Sequence, residues 1–179
     1  VQREVHSVMG KRTDYPRKDR DFYPTPAEAV VPLIPHLLYG PTTFDEPCAG
    51  DGALVGHLEY HGMDVGGVSD IEPQSDGVHR QDALTLTSCE GDMFITNPPW
   101  AWPILKDLMP HLYSIAPTWL LLNADLMHNK RMGPHMQRCV KVVSVGRVSW
   151  MGNGKKGFEN CAWFLFDGNH VGATEFYGR

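Results

Sequence analysis

The sequence predicts an α/β fold on a mainly parallel sheet. Three observations carry that expectation. Short apolar, strand-like runs alternate along the chain with segments of helical pattern. A glycine-rich stretch joins the first strand to a helix, and Trp119–Asn123 is apolar without alternation, as in a strand buried on both faces. A length of 179 residues suits a single domain with a sizeable core, and 42% hydrophobic with 21% charged residues is the balance of an ordinary globular protein.

The elements follow in order. Residues 1–22 lack hydrophobic periodicity and read as a basic irregular arm, leaving 23–179 as one domain. Thr25-Pro26-Ala27-Glu28 carries a Thr/Glu capping box and a proline for the first helical position. The helix it opens meets Pro32 and Pro35 and must kink, or stop and restart. Thr42–Glu46 reads as a strand entering the glycine loop, and Ala53–His61 as a helix closed by Gly62. Val65–Asp70 is a second strand, the stretch around Val78–Ala83 a short third, and Asp92–Thr96 a fourth. Pro103 to about Ser114 is helical in pattern, with Pro110 distorting it. Trp119–Asn123 is the next strand, and 126–139 is basic and loop-like with room for one short helix. Val140–Trp150 and Cys161–Phe166 read as two further strands joined by the glycine-rich 152–157, a final hairpin that adds an antiparallel edge.

Several classes are set aside. The longest apolar runs are far short of a membrane span, and the first twenty residues are polar rather than signal-like. Four scattered cysteines form no CxxC pair and read as reduced thiols of a cytoplasmic protein. His57 and His61 have a zinc-compatible spacing but no third ligand, so no metal is expected. The net charge of −5 conceals a segregation. Residues 41–105 hold eleven acids and one arginine, Arg80, whereas Leu126–Phe158 hold seven Lys/Arg and no acid. A basic rim beside an acidic cleft is the arrangement this pattern implies.

Two segments carry chemistry. The first is Phe44-Asp45-Glu46-Pro47-Cys48-Ala49-Gly50-Asp51-Gly52, between strand and helix, where glycines let a ligand approach the backbone. Eighteen residues after Gly52 comes Asp70, where α/β nucleotide sites place a carboxylate for ribose hydroxyls. A dinucleotide is disfavoured, since Val55 replaces the third glycine of GxGxxG and Glu46 and Asp51 would repel a pyrophosphate. A phosphate-free cofactor bearing a sulfonium and an ammonium, as in S-adenosylmethionine, suits the acidic loop. Asp82, followed by Ala83, could accept that cofactor's adenine amino group.

The second is Phe94-Ile95-Thr96-Asn97-Pro98-Pro99-Trp100. The two prolines make the corner after the strand rigid, able to aim the Asn97 side-chain carbonyl and the Pro98 main-chain carbonyl at one amino group. Both of its protons would be bound, the nitrogen lone pair freed from the ring, and Trp100 stacked on the base. Asn97 is no conventional base, so the proton leaves to solvent.

Together these residues resemble the class I S-adenosylmethionine-dependent amino-methyltransferases, in particular the small phage-type adenine-N6 DNA methyltransferases. The matched segments are 21–26, 46–52, Ser69–Pro73, Asp82–Leu84, Asn97–Trp100 and Ala162–Phe166, so the resemblance spans about residues 21–167. It implies a Rossmann-like, seven-stranded, mostly parallel sheet with an antiparallel last strand, flanked by helices, and a cofactor across the strand C-termini. Phe22, Tyr23 and Thr25 would contact the cofactor's methionine part, the capped helix start at Thr25 suiting its carboxylate. Glu46, Pro47, Cys48, Ala49, Gly50, Asp70, Ile71, Asp82, Ala83 and Asn97 would complete the cofactor set, with Asn97, Pro98, Pro99 and Trp100 as the catalytic corner. The product would be S-adenosylhomocysteine. The family extrudes its target base between aromatic rings, implying Trp100 on one face and Trp150 or Phe158 on the other.

The resemblance also implies a nucleic-acid partner, expected to be DNA, held by basic segments including Lys130, Arg131, Lys155 and Lys156. The chain departs from sequence-specific members in having no region long enough for a separate target-recognition domain. Short or relaxed sequence preference, a second subunit or homo-oligomer, or a single-stranded or RNA substrate would follow. Cytosine N4, RNA guanine N2 and protein glutamine are the alternative acceptors, and a non-catalytic nucleic-acid-binding or scaffold protein on this fold is the alternative class.

Overall fold

In the computed structural model, residues 23–37 and 43–179 are described. The arm expected over 1–22 lies outside them. An eight-stranded sheet has the order β3-β2-β1-β4-β5-β7-β6-β8. The strands are β1 (Thr43–Glu46), β2 (Asp64–Asp70), β3 (His79–Arg80), β4 (Met93–Thr96), β5 (Thr118–Asn123), β6 (Cys139–Gly146), β7 (Cys161–Phe166) and β8 (Glu175–Tyr177). β1 to β5 pair in parallel, and β7 runs antiparallel to both β5 and β6. The helices are α1 (Ala27–Val30), α2 (Ala53–Tyr60), α3 (Trp102–Ile115) and α4 (Gly133–Met136).

Alternating strand residues feed two cores. Phe44, Ile95, Trp119, Leu121 and Trp163 meet α1 and α2 on one side. Phe94, Leu120, Leu122, Phe164 and Phe166 meet α3 on the other. The central strands are therefore apolar on both faces, and β5 is buried at its first five residues.

Four expectations need correction. The sheet has eight strands rather than seven, because β8 adds a short parallel pairing to β6. The antiparallel strand is internal, since β7 inserts between β5 and β6 instead of forming an edge. The sixth strand stops at Gly146, whose φ of 83° takes the chain out of extended geometry, so it does not reach Trp150. The capping box is not formed: Pro26 is the N-cap, with no side-chain cap bond. Glu28 instead accepts from Ser149 N and Thr25 accepts from Asn97. Long-range partners outcompete the local cap, and α1 is a four-residue turn, too short to offer a helix N-terminus to a carboxylate.

Other local signals act as their chemistry requires. The chain stops at Val31 and restarts as a 3-10 turn over Ile34–His36, with Pro35 within it. At the end of α2, Gly62 has φ 85°, its N–H donates to Glu59 O (2.9 Å) and Met63 N–H donates to Leu58 O (3.1 Å). That is the Schellman pattern, with Met63 and Leu58 both buried beneath it. Among the described residues no helix is long and apolar enough to cross a membrane.

Asp45 ties β1 to its neighbours. Its buried carboxylate accepts from Gly67 N (2.8 Å), Glu90 N (2.6 Å) and Gly91 N (2.8 Å). Asp45→Ala strands three backbone donors, and urea denaturation should show a loss of about 3 kcal/mol or more. A loss under about 1 kcal/mol would mean that water replaces the carboxylate.

Candidate active site at the C-terminal edge of the sheet

The glycine loop leaves β1 at Glu46 and turns back through Gly50 (φ 56°) and Gly52 (φ 83°), left-handed conformations that favour glycine. Gly52 N–H donates to Ala49 O at 2.8 Å. Asp70, at the end of β2, fixes this loop: Oδ2 accepts from Gly50 N (2.8 Å) and Oδ1 from Glu72 N (2.7 Å). An ionised carboxylate has about four acceptor positions, so two remain for a ligand's hydroxyls. Ile71, 56% exposed, presents an apolar surface beside Asp70. Gln81 N–H donates to Asp70 O (2.9 Å), which brings the 81–84 segment alongside. There the Asp82 side chain caps its own 3-10 turn, accepting from Leu84 N through Oδ1 (2.9 Å). Ala83 is buried.

β4 lies between β1 and β5 and is buried throughout. It ends at Thr96, and Asn97 follows at the edge beside the loop. Asn97 Nδ2 donates to Thr25 Oγ1 (3.2 Å), which leaves Oδ1 without a protein donor among the described residues. The Pro98 carbonyl likewise receives no N–H from them. Trp100 is pinned by its Nε1–H to Leu121 O (2.9 Å). Its ring meets Trp150 edge-on, 5.6 Å between centroids at 85°, and Tyr23 lies 6.3 Å beyond Trp150. Trp150 therefore stands perpendicular to Trp100, not parallel to it as two walls of a ring sandwich would be. Phe158 is 43% exposed on the neighbouring loop. Phe22 lies outside the described residues.

Glu46 is the unusual group. It is 1% exposed, Oε2 has no hydrogen-bond partner, and the buried Thr96 hydroxyl beside it has none either. Burial pushes its carboxyl well above the ordinary range, and the Asp70 and Asp51 charges push the same way against the Thr96 hydroxyl and Asn97 N–H. Desolvation, with the Glu46 and Asp70 charges adding to it, also raises the half-buried Cys48 thiol, which stays neutral. Lys130, Arg131, Lys155 and Lys156 are exposed. Three residues that sequence reasoning passed over, Trp102, Tyr113 and His135, form an edge-to-face aromatic group on α3 and the segment after β5. The signal available was the spacing of Trp102 and Tyr113, which puts both on one helical face.

This donor set fits the cofactor that the sequence implies. A buried carboxyl with an unpartnered oxygen suits a cation, paired acceptors on Asp70 suit vicinal hydroxyls, and exposed Ile71 suits a purine face.

No family model matches the chain, and no curated sequence matches it at a significant level. Solved structures do match. A candidate RNA methyltransferase from Pyrococcus horikoshii is similar over 88% of this chain and 92% of its own, with 16% identity and a TM-score of 0.62. A dimethyladenosine transferase from Plasmodium falciparum is similar over 82% of this chain and 62% of its own, at 15% identity and a TM-score of 0.52. A modification subunit of a candidate type I restriction enzyme from Vibrio vulnificus is similar over 89% of this chain and 47% of its own, at 11% identity and a TM-score of 0.55. At these identities the similarity defines a fold. The chain shares with these structures a Rossmann-like architecture, a mostly parallel α/β sheet with one antiparallel strand.

The raised Glu46 carboxyl has a thermodynamic signature. The folded chain holds this proton more tightly than the unfolded chain. The stabilisation is complete below the ordinary carboxylate range and is lost as pH rises through the folded-state value. Glu46→Gln should therefore flatten the fall in melting temperature as pH rises above the ordinary carboxylate range, and be more stable than wild type at the alkaline end. Superimposable pH profiles would mean that Glu46 ionises normally in the fold.

Proposed function

We propose that the chain is an S-adenosylmethionine-dependent DNA methyltransferase acting on the N6 amino group of adenine. One observation carries this reading. Asn97 spends an amide hydrogen on Thr25 and is left, with the Pro98 carbonyl, as an unengaged acceptor at the edge where Glu46, the glycine loop and Asp70 converge. When bound, the cofactor supplies an electrophilic methyl group on a sulfonium and departs as S-adenosylhomocysteine. Asp70 would hold the ribose hydroxyls, Ile71 and Ala83 would pack against the adenine, and Asp82 would accept from its amino group. The loop Pro47-Cys48-Ala49-Gly50 and the Tyr23–Thr25 segment would enclose the methionine part. Glu46 would face the cationic end, losing its proton to do so.

Asn97 Oδ1 and the Pro98 carbonyl would accept the two N–H groups of the target amine. Its lone pair is then turned from the ring towards the methyl carbon, and positioning and fixed dipoles supply the catalysis. Asn97 is no conventional base, so the amine's proton passes to solvent. Trp100 would offer its ring to an extruded base, and since Trp150 stands edge-on to it, the exposed Phe158 is the candidate for the other side. Lys130, Arg131, Lys155 and Lys156 give the flanking strand a positive surface. In this reading residues 23–179 are a single catalytic domain of a cytoplasmic enzyme, and target choice falls to short preference or to a second copy or subunit.

The direct test incubates the protein with labelled cofactor and DNA, RNA or protein, then identifies the modified unit by mass. N6-methyladenine in DNA is expected, and label on guanine, cytosine or glutamine overturns the acceptor. Asn97→Ala should lower kcat by at least about 100-fold while cofactor affinity stays within about twofold, since one positioned acceptor is worth that much. Asp70→Ala should instead weaken cofactor binding and, by freeing Gly50 N–H, loosen the loop. Parallel loss of both properties in the Asn97 variant would place its role in folding.

A further inference from the structure

We infer that Arg131 is a preformed docking point for a nucleic-acid phosphate, held in place by an aromatic ladder that runs out of the core to the edge of the candidate site. The inference rests on the nucleic-acid reading above and names one contact within it.

The ladder begins at Phe164 and Phe166, stacked at 6.1 Å and 8°. Tyr113 stacks on Phe166 at 5.7 Å, and its hydroxyl shares a 3.0 Å hydrogen bond with His135 Nδ1. The His135 ring meets Trp102 edge-on at 6.3 Å. Over the Trp102 ring lies the Arg131 guanidinium, 4.4 Å from the centroid. Trp102 opens α3, two residues after Trp100, so the ring beneath the cation belongs to the segment that leaves the Asn-Pro-Pro-Trp corner.

Two features separate Arg131 from an ordinary surface cation. Its planar head rests on an aromatic face that is itself braced from below, so its freedom is restricted before any ligand arrives. No carboxylate satisfies it: none of the described residues is within ion-pair distance, and the sequence has no acid from Leu126 to Phe158. An arginine that is exposed, seated on a ring and without a carboxylate partner among the described residues offers its N–H fork to a planar anion, and the anion repeated beside any extruded base is the phosphodiester. Aromatic support of this kind is also sequence-independent, as a contact to the repeating backbone must be.

The test measures binding of a DNA oligonucleotide across a salt series, together with methyl transfer and cofactor affinity. Arg131→Gln should weaken DNA binding roughly tenfold and reduce the slope of log affinity against log salt by about 0.7–0.9, one phosphate contact. Cofactor affinity should not change. Arg131→Lys should restore the slope but only part of the affinity, because an ammonium keeps the charge and loses the planar fork. Lys141→Gln removes a charge near the far end of β6, where Lys141 pairs with Glu175, and should leave slope and affinity alone. An unchanged slope and affinity in Arg131→Gln overturns the inference while leaving the methyltransferase reading intact. A wild-type protein that methylates protein, or no nucleic acid at all, overturns both, and the position of the label tells the two failures apart.

Discussion

The site depends on where β4 stops. A strand buried between β1 and β5 would continue its ladder if the backbone allowed it, but Pro98 and Pro99 have no N–H to donate and hold the chain at fixed φ. The ladder therefore ends at Thr96, and Asn97 emerges at the C-terminal edge with restricted backbone freedom. The core residues Phe94 and Ile95 lock the strand from opposite faces. A core built from both sides thus places one polar residue, and flexible loops contribute little to its position.

Acidity around the site divides by task. Three carboxylates cluster near the ends of β1 and β2, and the sequence singles out Glu46 and Asp70 as ligand groups without showing how the three divide the work. Asp45 is saturated by three backbone N–H groups and joins strands to the 90–91 turn. Asp70 divides its oxygens between Gly50 and Glu72 and so builds the loop that a ligand would meet. Glu46 has an unmatched oxygen in a buried position, where a lone carboxyl is more cheaply held protonated than charged. The first two are structural before they are functional. Only Glu46 has something to gain electrostatically from an arriving cation.

Hydrophobic periodicity and punctuation made most of the fold legible. Cys161–Phe166 was readable to the residue, and the strand around Trp119 nearly so, because continuous apolar runs have few other fates. Gly62 announced the end of α2 for a stereochemical reason that tertiary contacts cannot reverse. What could not be read depended on partners distant in sequence. The Thr25 and Glu28 signals were sound local chemistry, yet both side chains serve residues 72 and 121 positions away. β8 is three exposed residues whose pairing to β6 no pattern announces. The insertion of β7 between β5 and β6 is a matter of topology, and a hairpin pattern specifies which strands are neighbours without saying which of them lies outside. Among site residues, the motif positions were visible because prolines and glycines are rare in such combinations. The ladder through Tyr113, His135 and Trp102 was not, since it joins two segments that only the fold brings together.

The Thr25 contact gives the corner its polarity. An Asn side chain can turn either its carbonyl or its amide towards a cleft, and the two choices have opposite consequences for an amino group: one accepts its protons, the other repels them. A hydroxyl can both donate and accept, so Thr25 alone would permit either orientation. In the fold it accepts. Thr25 is buried, and its acceptance of Asn97 Nδ2 leaves the amide oxygen as the group without a protein partner. The Pro98 carbonyl, which can only accept, lies next along the chain. Under the proposed function, two adjacent acceptors would favour an NH2 group over a carbonyl, and that preference would come from a segment bonded across the site as much as from the motif itself.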